Sequence, residues 1–140
     1  MVRFAVVGTN FITDYLLEAA KSCPDFQLMA VHSRKEARAR EYAAQWGAPL
    51  WFTSLEALAA CPEVDAVYIA TPNFCHKEYT LQMLHAGKHV LVEKSAAANA
   101  REWQQMVDTA KERGLIVLEA LRTAFNPNYA RIQEALPRLG

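Results

Sequence analysis

Cysteine is scarce: the 140 residues hold three, and Cys23, Cys61 and Cys75 are too scattered for a disulfide framework. No C-x-x-C pair occurs, which excludes a paired-cysteine zinc site and leaves the three as packing residues. Net charge is missing too, because 15 Lys and Arg balance 15 Asp and Glu. Gripping a nucleic-acid backbone or an anionic membrane needs clustered cations that displace counterions, so neither is expected as a partner. The densest basic stretch, Arg34 to Arg40, is interrupted by Glu36 and alanines and reads as a helix face. No run of 18 apolar residues exists and Met1 leads straight into a strand-like segment, so a membrane span and a signal peptide are not expected. The default compartment is the cytoplasm. His85 and His89 stand four apart, as zinc ligands on one helix would, but Gly87 interrupts them and no metal is expected.

What is present is apolar patterning, in a chain that is 52% hydrophobic and long enough for one core. Arg3 to Val7 is a short apolar run closed by Gly8, and Phe11 to Ser22 then takes helical spacing through Ile12, Leu16, Ala19 and Ala20. The unit repeats: Gln27 to His32 reads as a strand, Ser33 as the N-cap of a helix reaching Trp46, and Gly47 as its stop. Leu50-Trp51-Phe52 is a brief third strand, and Ser54 opens a short helix through Leu58. Asp65 to Ala70 is continuously apolar at its centre, as a strand covered on both faces should be. A helix from Cys75 to Ala86, a strand His89 to Val92, a helix striped by Trp103, Met106, Val107 and Ala110, and a strand Leu115 to Leu118 complete the series. Strands alternating with helices specify a parallel sheet with covered faces, so the fold class is α/β, a doubly wound sheet of Rossmann type.

Ligands of such sheets lie at the carboxyl ends of the strands. Gly8-Thr9-Asn10-Phe11-Ile12-Thr13 occupies the first strand end, where G-x-G-x-x-G would set a pyrophosphate on a helix N-terminus. Only the first glycine is there. Asn10 is expected to tolerate a left-handed backbone, and Thr9 and Thr13 to offer hydroxyls; a plain turn without ligand is the alternative. At the second strand end, Ser33-Arg34-Lys35 carries no carboxylate and a guanidinium that can pair with a 2′-phosphate, which favours NADP over NAD. The alternative there is that Arg34 and Lys35 merely solvate a helical turn.

The fourth strand ends in Thr71-Pro72-Asn73 followed by His76, and Ala86-Gly87-Lys88-His89-Val90 leads to Glu93-Lys94. Together these blocks resemble the amino-terminal half of the Gfo/Idh/MocA oxidoreductases, and Arg122 with Asn126-Pro127 fits a further segment of that pattern. The resemblance covers essentially the whole chain. It implies hydride transfer between a nicotinamide cofactor and a sugar, cyclitol or related polyol, with Lys94 catalytic beside the reacting carbon. It implies a cofactor-binding set of Gly8, Thr9, Asn10, Phe11, Ile12, Ser33, Arg34, Thr71, Pro72, Asn73, His76, Glu93, Lys94 and Arg122. Glu93 is expected to hold the lysine, and His76 to make a polar contact at its helix start. Ser95 replaces the proline of the family's E-K-P, so the backbone is expected to relax there and shift Lys94.

Family enzymes continue into a mostly antiparallel α+β substrate domain. Residues 1–122 are therefore expected to form the dinucleotide-binding domain and 123–140 the start of a connection, with the substrate domain absent and this chain alone inactive. Trp51, Phe125 and Tyr129 are candidates for uncovered apolar groups, which would favour a homo-oligomer or aggregation. Two other readings stay open: a stand-alone nucleotide-binding or redox-sensing module, and a degenerate domain with an empty cleft.

Overall fold

The computed structural model describes residues 1–139; Gly140, the last residue of the expected connection, lies outside them. Six parallel strands form one sheet in the order β3-β2-β1-β4-β5-β6. They are β1 (Val2–Val7), β2 (Phe26–His32), β3 (Leu50–Phe52), β4 (Ala66–Ile69), β5 (His89–Glu93) and β6 (Val117–Ala120). The chain turns back between β1 and β4, so a crevice opens where their carboxyl ends diverge.

The helices cover both faces. Against one face, α1 (Phe11–Ala20) and α2 (Glu36–Trp46) bury Leu17, Tyr42 and Ala43 around Val6, Val31 and Tyr68. Against the other, α3 (Leu55–Ala59), α4 (His76–His85) and α5 (Ala100–Glu112) bury Leu58, Met83, Leu84, Met106 and Ala110 around Val7, Ile69 and Val92. All of β4 is buried, which is why its sequence runs apolar without alternation. Among the described residues no helix is long and apolar enough to cross a membrane.

Three local expectations change. Helix α2 starts at Glu36 with Lys35 at its N-cap, because the Ser33 N–H bonds Phe52 O and keeps Ser33 in the extended ladder. The last strand begins at Val117 rather than Leu115, since the Leu115 N–H still closes the exit of α5 on Ala110 O. Cys61 is buried and Cys75 half-buried, but Cys23 is exposed in the turn after α1 rather than packed. Within the expected connection, 123–140, the 3-10 turn (Arg122–Phe125) leads into α6 (Pro127–Leu139). Phe125 and Tyr129 are exposed there as expected, together with Ile132 and Leu136; Trp51 is exposed on β3, at the opposite edge of the sheet.

Candidate functional site

The turn after β1 is built by side chains as much as by glycine. Gly8 has φ +110, and a Cβ placed there would collide with the backbone carbonyl of Ala70. Asn10 is extended (φ −105, ψ 175) rather than left-handed, because it serves as the N-cap of α1. Its Oδ1 accepts from the N–H groups of Ile12 at 2.9 Å and Thr13 at 3.4 Å, and its Nδ2 donates to Ala70 O at 2.7 Å. Two of the helix N–H groups expected to face a ligand are thus already engaged. The Thr13 hydroxyl is equally committed, donating to Gly8 O at 2.9 Å from a fully buried position.

A brace that the sequence did not disclose comes from α2. Arg38 donates from Nε to Thr9 Oγ1 at 3.2 Å and from Nη2 to Thr9 O at 2.9 Å, and its guanidinium lies 4.9 Å from the Tyr42 ring centre. The Tyr42 hydroxyl donates to Asp14 on α1 at 2.5 Å. Burial, reinforced by that carboxylate, pushes the Tyr42 phenol well above its ordinary value.

Beside this turn lies a cleft of about 250 Å³, lined by Gly8, Thr9, Asn10, His32, Ser33, Arg34, Ala70, Thr71, Pro72, Phe74, Cys75 and Tyr79. No carboxylate belongs to that lining, and Arg34 stands at its β2 end, so the donor set suits a polyanion. Burial holds the His32 imidazole below its ordinary value, and burial followed by the Cys75 thiol raises the Tyr79 phenol. His32, Phe74 and Cys75 lie at strand ends where a ligand is expected, though not singled out there, whereas Tyr79 lies beyond them. Tyr79 follows Cys75 at one helical turn, a signal that the attention to strand ends passed over.

A second cleft continues along the sheet edge, lined by Asn10, Ile12, Ala70, Thr71, Asn73, Glu93 and Lys94. Thr71 belongs to both clefts, and its Oγ1 is buried without a hydrogen-bond partner among the described residues. A buried orphan hydroxyl calls for a polar group from outside the chain, and a dinucleotide spanning both clefts would bring one.

Glu93 does not hold the Lys94 ammonium as expected. Its Oε1 accepts from the Tyr68 hydroxyl at 2.7 Å and its Oε2 from the Lys94 backbone N–H at 3.2 Å, so it fixes the lysine through the main chain. Tyr68, almost wholly buried, has its phenol raised by desolvation and by Glu93. The Lys94–Ser95 peptide is cis, and Lys94 lines the cleft with its side chain exposed.

Three expected cofactor ligands stand elsewhere. His76 is fully buried, with Nδ1 and Nε2 each 2.8 Å from a backbone carbonyl, so it reaches neither cleft. Phe11 is 64% exposed and packs edge-on against Tyr15, while Arg122 is exposed on the 3-10 turn; neither lines a cleft. His89, the second of the spaced histidines, accepts the Ile116 N–H at Nδ1 and is spent on the strand β6 entry.

Comparison with known proteins agrees with this geometry. The chain is 46% identical over all 140 residues to the scyllo-inositol 2-dehydrogenase (NADP(+)) IolU of Bacillus subtilis (strain 168), of which it spans 43%. It is 35% identical over 137 residues to the mouse trans-1,2-dihydrobenzene-1,2-diol dehydrogenase, of which it spans 41%. Its fold matches KijD10, a 3-ketoreductase from Actinomadura kijaniata solved with NADP and TDP-benzene, at a TM-score of 0.91 and 29% identity over 98% of this chain and 42% of that one. The chain thus spans less than half the length of these relatives. Residues 2–121 match the Gfo/Idh/MocA model, described as an oxidoreductase family with an NAD-binding Rossmann fold, and the chain belongs to that family.

Proposed function

We propose that the chain is the NADP-binding part of an oxidoreductase that exchanges hydride between a nicotinamide cofactor and a sugar, cyclitol or related polyol. The observation that carries this reading is the pair of contiguous clefts at the β1/β4 switch point, with Arg34 at one end, Lys94 at the other and the orphan Thr71 hydroxyl between them. Arg34 suits the phosphate-rich adenosine end of a dinucleotide, and Lys94 stands where a substrate oxygen would meet the nicotinamide.

On this reading Gly8, Thr9 and Asn10 admit the pyrophosphate, Ser33 and Arg34 receive the 2′-phosphate, and Thr71, Pro72 and Asn73 flank the nicotinamide half. When bound, the cofactor supplies the hydride chemistry. The chain's contribution is placement and proton handling: the exposed Lys94 ammonium can polarise the substrate oxygen and pass its proton, while Glu93 keeps the lysine backbone in register. NADP is preferred to NAD because the β2 end offers a cation and no carboxylate to the 2′ position. Residues 1–122 are the dinucleotide-binding unit, and the folded 123–139 stretch leads onward from it, with its exposed apolar side chains available for burial.

Titration with NADPH and NADH, following nicotinamide fluorescence, tests the cofactor, and NADP-dependent oxidation of inositols and sugars by the protein tests the reaction. Tighter binding of NADPH is expected. Binding of neither coenzyme would overturn the reading; oxidation of a polyol by residues 1–140 alone would overturn the expectation that a further domain completes the site.

A further inference from the structure

We infer that His76 is a positioning residue, a latch that fixes the Lys94 turn against the Thr71 loop and so sets the geometry of the nicotinamide half of the crevice. The inference rests on the coenzyme reading above and assigns His76 a task that its position beneath both walls makes specific. The ring lies at the start of α4 with no exposed surface. Its Nε2 is 2.8 Å from Thr71 O, the first residue of the β4 loop, and its Nδ1 is 2.8 Å from Ser95 O, next to Lys94 in the chain. Both partners are carbonyl oxygens and can only accept; a neutral imidazole carries one N–H, so the ring donates to one of them and packs its second nitrogen against the other.

The turn it holds is fastened from two further sides. The Ala96 N–H donates to Glu119 Oε1 on β6 at 2.9 Å, and the Lys94 N–H to Glu93 Oε2 at 3.2 Å. Three consecutive residues are therefore anchored through their main chain, by side chains from α4, β5 and β6. The Lys94 side chain itself is exposed. A flexible four-carbon stem reaches a defined point only if its base is fixed, so the accuracy of the ammonium depends on these tethers rather than on partners of its own. Buried hydrogen bonds to main-chain carbonyls are strong enough for the task, because a carbonyl left unpaired in the interior is costly.

Two measurements on the protein separate the latch from the coenzyme reading. The first needs no ligand: amide hydrogen exchange across residues 93–97. His76→Leu, which removes both ring contacts at similar size, should speed exchange there by about tenfold or more while the β1 and β4 amides stay protected. His76→Gln, which keeps a donor but lacks the ring that spans both carbonyls, should fall between. Glu119→Ala tests the turn from the other side and should loosen the same segment. The second is the affinity of NADPH against that of adenosine 2′,5′-bisphosphate, which carries the adenosine half alone. His76→Leu should weaken NADPH about tenfold, equivalent to about 1.4 kcal/mol, and the bisphosphate less than twofold.

Unchanged exchange at 93–97 in both His76 variants would overturn the latch, whatever the coenzyme does. Equal loss of both ligands would also overturn it, since a general scaffold defect moves both. If the unsubstituted protein binds neither ligand, the coenzyme reading fails and exchange alone decides the latch. Should His76→Leu fail to fold, His76→Gln and Glu119→Ala carry the same test.

Discussion

The two ends of the crevice are built on different plans. At the β1/β2 end, the turn is braced from a single helical layer: Arg38 and Tyr42 on α2 reach Thr9 and Asp14, and Asn10 caps α1 while gripping Ala70 O. At the β4/β5 end, the Lys94 turn is held from three elements, through His76 on α4, Glu93 on β5 and Glu119 on β6. In both, the side chains offered to a ligand are loosely held and the ones that shape the backbone are buried or paired. Reactivity is carried at the surface, and accuracy is carried beneath it.

The comparison breaks most severely at Gly8. Its backbone is left-handed and its missing side chain makes room for Ala70 O, a main-chain atom held in the sheet. Gly8→Ala should cost about 3 kcal/mol or more, combining left-handed strain with a collision that no rotamer relieves. Chemical denaturation would register the loss, and coenzyme titration should show binding abolished at both ends. Stability within about 0.5 kcal/mol of the parent would mean that the turn adapts and that the two ends are not joined rigidly through Ala70.

Arg34→Asp sharpens the difference between the ends. It removes a cation from the β2 rim and adds a charge of the ligand's own sign, so NADPH should weaken by roughly 10- to 100-fold, the size of one charge-assisted hydrogen bond. NADH, without the 2′-phosphate, should lose much less. Equal losses measured by calorimetry would show that Arg34 does not read that phosphate.

Asn10→Ala acts on the scaffold instead. It deletes the α1 cap and the bond to Ala70 O, with an expected cost of about 1–2 kcal/mol in thermal unfolding, and should weaken NADPH and NADH alike. Asn10→Ser restores a cap without the reach to Ala70, and should recover roughly half.

What the sequence disclosed follows the same division. Strand ends could be located from apolar runs, and Gly8, Arg34, Thr71, Asn73 and Lys94 from their places at those ends. Phe11 and His76 were drawn into the site by proximity in the chain, yet one points to solvent and the other into the interior. Arg38 and Tyr79 were not foreseen, and Glu119 only as a strand end, because their importance lies in what another element brings to them: Arg38 meets Thr9 across 29 residues, and Glu119 meets Ala96 across 23. Local pattern reports a residue's face, not its tertiary partner. Helix α6 was not foreseen from its apolar stripe, which the fold leaves exposed rather than packed.

The smallest expected effect is a pH dependence confined to the β2 end. His32 is 5% exposed at the cleft wall, and desolvation holds its imidazole below the ordinary value against weaker opposing contributions from the Thr53 backbone and Glu56; Arg34 adds to the lowering. The unfolded chain therefore takes up a proton more readily than the folded one. The corresponding stability is complete above the ordinary histidine value, about 6.5, and is lost as pH falls from there through the folded value. Melting temperatures are measured from pH 8 to pH 5 for the protein and for His32→Asn; the parent's value relative to the variant's should fall on acidification, whatever fixed offset the substitution brings. A constant gap would mean that His32 titrates alike in both states, and the contrast between a dry β2 wall and an exposed Lys94 rim would lose its electrostatic side.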